Sequence, residues 1–233
     1  MKKLSQKEIH RLERMSVYEN QLAEKGFQKV AGLDEVGRGP LAGPVVAAAC
    51  ILPKGAIFEN LNDSKKLTPD ERESLYHQLV NEPNLAYGIG VVEIEVIDQI
   101  NILQASFLAM RQALTVLKVK PDYLLIDGNQ LPYFEIPAEC VIHGDSLSIS
   151  IAAASIIAKV TRDRMMTELD AKWPAYGFKN HKGYATDEHM DAIRKFGPCP
   201  IHRKSFDPIK TMFFSDTHLD LFESLPSNGK TLH

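Results

Sequence analysis

The sequence predicts an α/β protein in which a mixed sheet is flanked by helices. Three observations predict it. Two strand-like runs bracket a Gly/Pro-rich turn, later strand-like runs alternate with helical patterns, and one long helix begins with a stretch rich in alanine and serine. The chain has 233 residues, 44% hydrophobic and 24% charged, an ordinary globular composition. Folding at this length buries roughly 70% of the unfolded chain's surface, so neither disulfides nor a structural metal are needed for stability.

Ser5 and Glu8 make a capping-box pattern that opens a helix expected to end near Gly26. Residues 29–33 and 45–52 are strand-like, and the glycines and prolines between them make a hairpin the economical assignment. Thr68-Pro69-Asp70-Glu71 is a second capping box with proline at the first helical position, starting a helix that reaches about Val80. Residues 85–92 read as a third strand. Residues 102–117 place apolar side chains at helical spacing with no breaker before Pro121.

Residues 123–126 and 140–142 are short apolar runs, each followed by an acidic residue beside a glycine, and read as buried strands. Residues 147–169 form the long helix, whose small leading side chains permit close packing on a sheet. Residues 173–208 are dense in Pro, Gly, Lys, His and aromatic side chains, with one short helix starting at Thr186. They read as an appended, loop-rich extension.

Composition excludes several functions. Cys50, Cys140 and Cys199 are odd in number and far apart, which fits a reducing compartment and no zinc ribbon. The first 25 residues lack the apolar core of a signal peptide, and no uncharged stretch approaches the roughly 20 residues that span a bilayer. A cytoplasmic protein is expected. Net charge is −3, but unevenly spread: residues 159–210 sum to +4 and the remainder to −7. A basic C-terminal third suits nucleic acid, and an ordinary solvated face is the competing explanation.

Asp34-Glu35 ends the first strand, Asp127 ends another, and Asp145 lies between a strand and the long helix. Each alone could be a turn or cap residue. Their repetition at strand ends, where open α/β sheets form a ligand crevice, suggests convergence. Converging like charges call for a cation, and oxygen ligands favour Mg²⁺ or Mn²⁺ over Zn²⁺.

Gly37-Arg38-Gly39-Pro40-Leu41-Ala42 formally matches a dinucleotide fingerprint, yet it precedes a strand-like run rather than a helix, and Asp34-Glu35 would repel a pyrophosphate. Its glycines still permit close backbone approach to a phosphate or sugar, or simply make a tight turn. Gly229-Lys230-Thr231 lacks the upstream glycine of a P-loop. His181-Lys182-Gly183-Tyr184 and His202-Arg203-Lys204-Ser205-Phe206 interleave cations with aromatics, as a nucleic-acid backbone with stacked sugar or base would require. Asp63-Ser64-Lys65-Lys66 is a further polar-basic loop. His143 is either a ligand, a proton carrier or a structural histidine.

Taken in order, these motifs resemble the bacterial ribonuclease HII family. The resemblance runs from Ala31-Gly-Leu-Asp-Glu-Val-Gly-Arg-Gly through Asp63-Ser-Lys-Lys-Leu, Asn101-Ile-Leu, Ile126-Asp-Gly, Gly144-Asp145, Ile151-Ala-Ala-Ala-Ser-Ile-Ile-Ala-Lys and His181-Lys-Gly-Tyr to His202-Arg-Lys-Ser-Phe, about three-quarters of the chain. It implies a ribonuclease H-like fold: a mixed five-stranded sheet with flanking helices and a helical C-terminal extension. The domain organisation expected on this basis is a helical segment over 1–27, a catalytic domain over 28–170 and an extension over 171–233 that contacts nucleic acid.

The resemblance also implies an endoribonuclease that hydrolyses the RNA strand of RNA–DNA hybrids and nicks duplex DNA 5′ of single embedded ribonucleotides by a two-metal mechanism, leaving 3′-hydroxyl and 5′-phosphate ends. It makes Asp34, Glu35, Asp127 and Asp145 the catalytic ligands of Mn²⁺ or Mg²⁺. Gly37, Arg38, Gly39 and Tyr184 would recognise the ribonucleotide, with Ser64, Lys65, Lys182 and Lys204 on phosphates. His143 stands where many members of the family have lysine.

His218-Leu219-Asp220-Leu221-Phe222 resembles the pentapeptide by which bacterial repair proteins dock on the sliding clamp, with histidine in the usual glutamine place; a short amphipathic tail helix is the alternative. A monomer is expected. The related ribonuclease HIII family carries an extra N-terminal domain, for which about 28 residues before the first strand leave no room. A non-catalytic nucleic-acid-binding module on the same fold is the rival from another class, disfavoured by an anionic cluster that hinders phosphate binding unless metals occupy it.

Overall fold

The computed structural model describes residues 4–214. In chain order the elements are α1 (Gln6–Met15), α2 (Val17–Glu24), β1 (Val30–Val36), β2 (Val45–Ile51), α3 (Pro69–Val80), β3 (Ala86–Val92), α4 (Ile94–Val116), β4 (Tyr123–Asp127), β5 (Ala138–Val141), α5 (Gly144–Leu147), α6 (Ile149–Lys172), α7 (Phe178–His181), α8 (Asp187–Phe196) and α9 (Ile209–Phe213). The five strands form one mixed sheet in the order β3-β2-β1-β4-β5. β1 and β2 make the expected antiparallel hairpin and β2 pairs antiparallel with β3, whereas β4 runs parallel to both β1 and β5. Among the described residues no helix is long and apolar enough to cross a membrane.

Side-chain alternation along β2 divides the core. Val46, Ala48 and Cys50 face α6, with α1 and α3 packed beyond it. Val45, Ala47 and Ala49 face α4 on the opposite side. Gly32 of β1 explains how closely α6 approaches: a Cβ there would lie 2.1 Å from the Ser150 carbonyl carbon. Any side chain at position 32 would push the helix off the sheet.

Three helices depart from expectation. The first is broken at Ser16, whose hydroxyl bonds back to the Leu12 carbonyl, so two helices stand where one was expected. Its capping box is half formed: Ser5 accepts from the Glu8 N–H, but the Glu8 carboxylate turns to Arg11 and to the Asn60 N–H. By contrast, the Thr68–Glu71 box is complete.

α4 starts at Ile94, earlier than the apolar spacing indicated, and is interrupted at Asn101 (φ 67°). The Asn101 side chain caps the N–H groups of Leu103 and Gln104, so a new helix starts where the sequence placed one. The long helix is preceded by the separate turn α5, with Ser148 as N-cap of α6. The extension is more ordered than a loop-rich arm: α7, α8 and α9 pack a core of Tyr176, Phe178, Ile193 and Ile209 onto Leu41, Ala42 and Met166.

Candidate active site

β1 and β4 are neighbours and parallel, with Leu33 opposite Ile126. Asp34 and Asp127 therefore sit at the same end of adjacent strands. Asp34 shares a strand face with Gly32, so it points toward α6, and the Ser155 hydroxyl of that helix hydrogen-bonds its carboxylate. Asp145 arrives from α5, which is tied to β4 by the Gly144 N–H donating to Asp127 Oδ1 at 2.7 Å. Glu35 follows Asp34 and reaches Arg38 Nη1 at 3.1 Å.

Burial and mutual repulsion shape this group. Asp34 is 7% exposed, and burial, reinforced by Glu35 and Asp127, holds its carboxyl well above the usual carboxylate range against the opposing pull of Ser155. Burial likewise raises Glu35, with Arg38 opposing and Asp127 adding to the rise. Burial and then Asp145 raise Asp127, while the Gly144 N–H lowers it. Lys65 Nζ lies 3.2 Å from Asp145 Oδ2. Partial burial works against the Lys65 charge, but Asp145 and Asp63 outweigh it and raise its pKa.

Four carboxylates thus face two partly exposed cations. The donor set is all oxygen and its negative charge is under-compensated, which fits a hard divalent cation. Among the described residues no three His, Cys, Asp or Glu groups form a ready-made cage. A bound ion would have to draw the carboxylates inward from their present hydrogen bonds.

The turn after β1 is held differently. Gly37 has φ 97°, and a Cβ there would lie 2.3 Å from Arg162 Nε. Arg162 is fully buried and donates to the carbonyls of Pro44, Ala42 and Lys182 at 2.9 to 3.0 Å. Arg203, also fully buried, donates to the carbonyls of Gly37, Arg38 and Gly43 at 2.6 to 3.1 Å. Burial pushes Arg162 down to about 10 and, with help from Arg162, Arg203 down to about 9. The loop is also stitched to the extension by Leu41 N–H to Gly183 O and Gly43 N–H to Ile201 O. Tyr184 is 44% exposed, and its ring lies 3.7 Å from where a Cβ on Gly39 would sit.

The structure therefore brings Asp34, Glu35, Asp127 and Asp145 together, and separately Gly37, Arg38, Gly39 and Tyr184. The remaining positions divide. Lys65 joins the carboxylates. Ser64 faces inward, 4% exposed with its Oγ 2.9 Å from Ser155 Oγ, so its hydroxyl is not presented to a phosphate. Lys182 turns its ammonium to the Lys179 carbonyl and Thr167. Lys204 sits over Phe214, and its backbone N–H donates to Asp98.

His181, His202 and Arg203, grouped by sequence with the nucleic-acid contacts, are interior residues. His202 Nδ1 accepts from the Cys199 N–H, which leaves its Nε2–H to donate to His189 Nε2 at 3.0 Å. His189 Nδ1–H in turn donates to the Tyr184 carbonyl at 2.9 Å. Sequence reasoning assigned no role to Arg162, Arg72 or Asp98. Arg72 fixes the carbonyls of Ser64 and Leu67, and Asp98 the N–H groups of Lys204 and Ser205. One signal was readable: Arg162 stands seven residues after Ser155, on the same face of the long helix.

The sequence profile described as ribonuclease HII matches residues 31–209. The chain belongs to the ribonuclease HII family. Curated ribonuclease HII proteins of Chlamydia caviae and Chlamydia pneumoniae are 58% identical over 84% of this chain and 92% of theirs, and 54% identical over 88% and 95%. The crystal structure of ribonuclease H2 from Pyrococcus horikoshii superposes with a TM-score of 0.66 at 29% identity, covering 79% of this chain and 96% of that one. This member of the ribonuclease HII family is accordingly a ribonuclease H-type endonuclease, a hydrolase built on the ribonuclease H-like fold.

Proposed function

We propose that this ribonuclease HII nicks duplex DNA on the 5′ side of a single embedded ribonucleotide, and cuts the RNA strand of RNA–DNA hybrids, leaving 3′-hydroxyl and 5′-phosphate ends. The convergence of Asp34, Glu35, Asp127 and Asp145 at one end of neighbouring strands β1 and β4, beside a glycine turn and Tyr184, carries this conclusion. Asp34, Glu35, Asp127 and Asp145 would hold two divalent ions, Mg²⁺ or Mn²⁺, which when bound supply an activated water and a stabilised leaving oxygen.

The chain's own residues do the rest. Asp34, fixed by Ser155 and by the Glu35 N–H at 2.8 Å, sets the ligand geometry from the sheet. Lys65 balances charge at Asp145. The backbone of Gly37–Gly39 offers small, close N–H donors suited to one 2′-hydroxyl, the group that separates RNA from DNA, and the half-exposed Tyr184 ring beside it offers a stacking face. No protein nucleophile is needed. The clamp-like segment His218–Phe222 lies outside the described residues, and a monomer acting in the cytoplasm fits this reading.

The test is an end-labelled DNA duplex carrying one ribonucleotide, beside all-DNA and RNA–DNA controls, with Mg²⁺, Mn²⁺ or EDTA. A metal-dependent nick 5′ of the ribonucleotide is expected. Cutting confined to continuous hybrid would refute the single-ribonucleotide role of the glycine turn and Tyr184, and no cutting with either metal would refute the nuclease assignment at these carboxylates.

A further inference from the structure

The glycine turn poses a question about charge. Two guanidinium groups are fully buried behind it, and among the described residues all their hydrogen bonds go to backbone carbonyls, with no carboxylate pair. Burying a charge is costly unless every donor is satisfied. Neutral side chains could have filled this space at less cost, so the arrangement calls for a role that neutral groups cannot perform. A guanidinium presents five donors in a rigid planar fork and can hold several carbonyls at fixed mutual angles. Here the two forks fix the carbonyls of Gly37, Arg38, Ala42, Gly43, Pro44 and Lys182.

A peptide unit whose carbonyl is pinned inward has its N–H committed to the other side, because the unit is planar. The pinned carbonyls of Gly37 and Arg38 share their peptide units with the N–H groups of Arg38 and Gly39, which have no backbone partner outside regular helices and strands among the described residues, whereas the Gly43 N–H, in the unit of the Ala42 carbonyl, donates to Ile201. The residues supplying the forks come from distant parts of the chain, Arg162 from the middle of α6 and Arg203 from the extension, where its guanidinium also stacks 4.9 Å from the Phe206 ring.

We infer that Arg203 and Arg162 are positioning residues for sugar discrimination: Arg203, by pinning the carbonyls of Gly37 and Arg38 inward, presets the N–H groups of Arg38 and Gly39 for a 2′-hydroxyl before substrate arrives, and Arg162 fixes the far end of the same loop at Ala42 and Pro44. The inference rests on the proposed nicking at ribonucleotides and deepens it, since it names what makes the loop selective. Preorganised donors lose no binding energy to reorganisation. Lysine keeps the charge but not the fork, so Arg→Lys separates the two.

The experiment uses the full chain carrying Asp34→Asn, so that substrate binds without being cut. Affinity for a duplex with one ribonucleotide and for the same all-DNA duplex is measured by fluorescence anisotropy in Mg²⁺, for the parent and with Arg162→Lys or Arg203→Lys added. Near-UV circular dichroism reports folding. The expected result is a ribonucleotide preference in the parent that falls about tenfold in each lysine variant, with all-DNA affinity unchanged. Folded lysine variants that keep the parent's preference overturn the inference.

A second measurement needs no arginine variant. In the unaltered protein labelled with ¹⁵N-glycine, relaxation dispersion at Gly37, Gly39 and Gly43 is expected to be flat in the absence of substrate. Millisecond exchange at Gly37 or Gly39 overturns the preset loop even if the variants fail to fold. A parent with no ribonucleotide preference, together with flat dispersion, would refute the proposed substrate while leaving a rigid loop.

Discussion

Residues 34–44 contain two neighbouring regions held by opposite means. At Asp34 and Glu35 the side chains carry the charge, repel one another, and are raised in pKa by burial without enough cation nearby. From Gly37 to Pro44 the backbone carries the polarity, and two buried cations over-determine it. The first region is opposed by its own charge as folded and, on the proposed reading, would be completed by cations. The second is complete within the chain. On the proposed reading a nuclease benefits from both: an anionic site that would gain most when cations bind, and a fixed loop that would have nothing left to adjust on meeting a sugar.

The largest expected effect breaks the first region. Asp34→Asn should remove nearly all nicking in either metal, yet raise the stability of the EDTA-treated protein by about 1 kcal/mol, because it deletes a buried, repelled carboxyl and retains an acceptor for the Glu35 N–H. Calorimetry in EDTA beside the nicking assay checks both halves. An unchanged or lowered melting temperature would mean that the carboxylates do not oppose one another as described.

The second effect bears on pH. Burial first, and in His202 the neighbouring His189, pushes both imidazoles down to about 4. The unfolded chain binds those protons from about pH 6.5 downward and the folded chain does not, so stability should fall as pH drops from about 6.5 to about 4. The raised carboxylates of Asp34, Glu35 and Asp127 act in the opposite direction, since their folded forms take up protons first. His189→Gln should therefore flatten the acid loss, which thermal melts across this range would reveal.

Smaller effects sharpen the contrast. Arg72→Ala should cost about 1–2 kcal/mol by leaving the Ser64 and Leu67 carbonyls without their donors, and should lower kcat more than it raises KM, because the turn that carries Lys65 loses its anchor. Arg38→Ala removes an exposed partner of Glu35 and should change the melting temperature by less than the equivalent of about 0.5 kcal/mol. Steady-state kinetics beside melting curves separate these two arginines.

Much of the fold was legible because local signals agreed with the tertiary structure. The Gly/Pro turn between residues 33 and 45 did specify a hairpin, Thr68 did start a helix, and the alanine and serine run did lie against the sheet. Asp34, Glu35 and Asp127 were legible as residues at strand ends, and Asp145 as one between a strand and the long helix. Ser16 and Asn101 were not, since each break depends on a side chain bonding locally, an option that periodicity does not register. Nor was the inward turn of Ser64, His202 and Arg203. A basic, aromatic run reads as surface, and only the arrival of the 37–44 loop carbonyls makes Arg203 an interior residue.

Helix α6 touches both regions. Ser155 meets Asp34, and seven residues later Arg162 meets the 37–44 loop, a rise of about 10.5 Å along a single rigid rod. On the proposed reading, the offset between the sugar that is sensed and the phosphodiester that is cut is a length written into two turns of helix. Neither loop sets it. Deleting or inserting one residue between 155 and 162 would rotate one contact away from the other by about 100°, so the gauge tolerates substitution on its outer faces but no change in length.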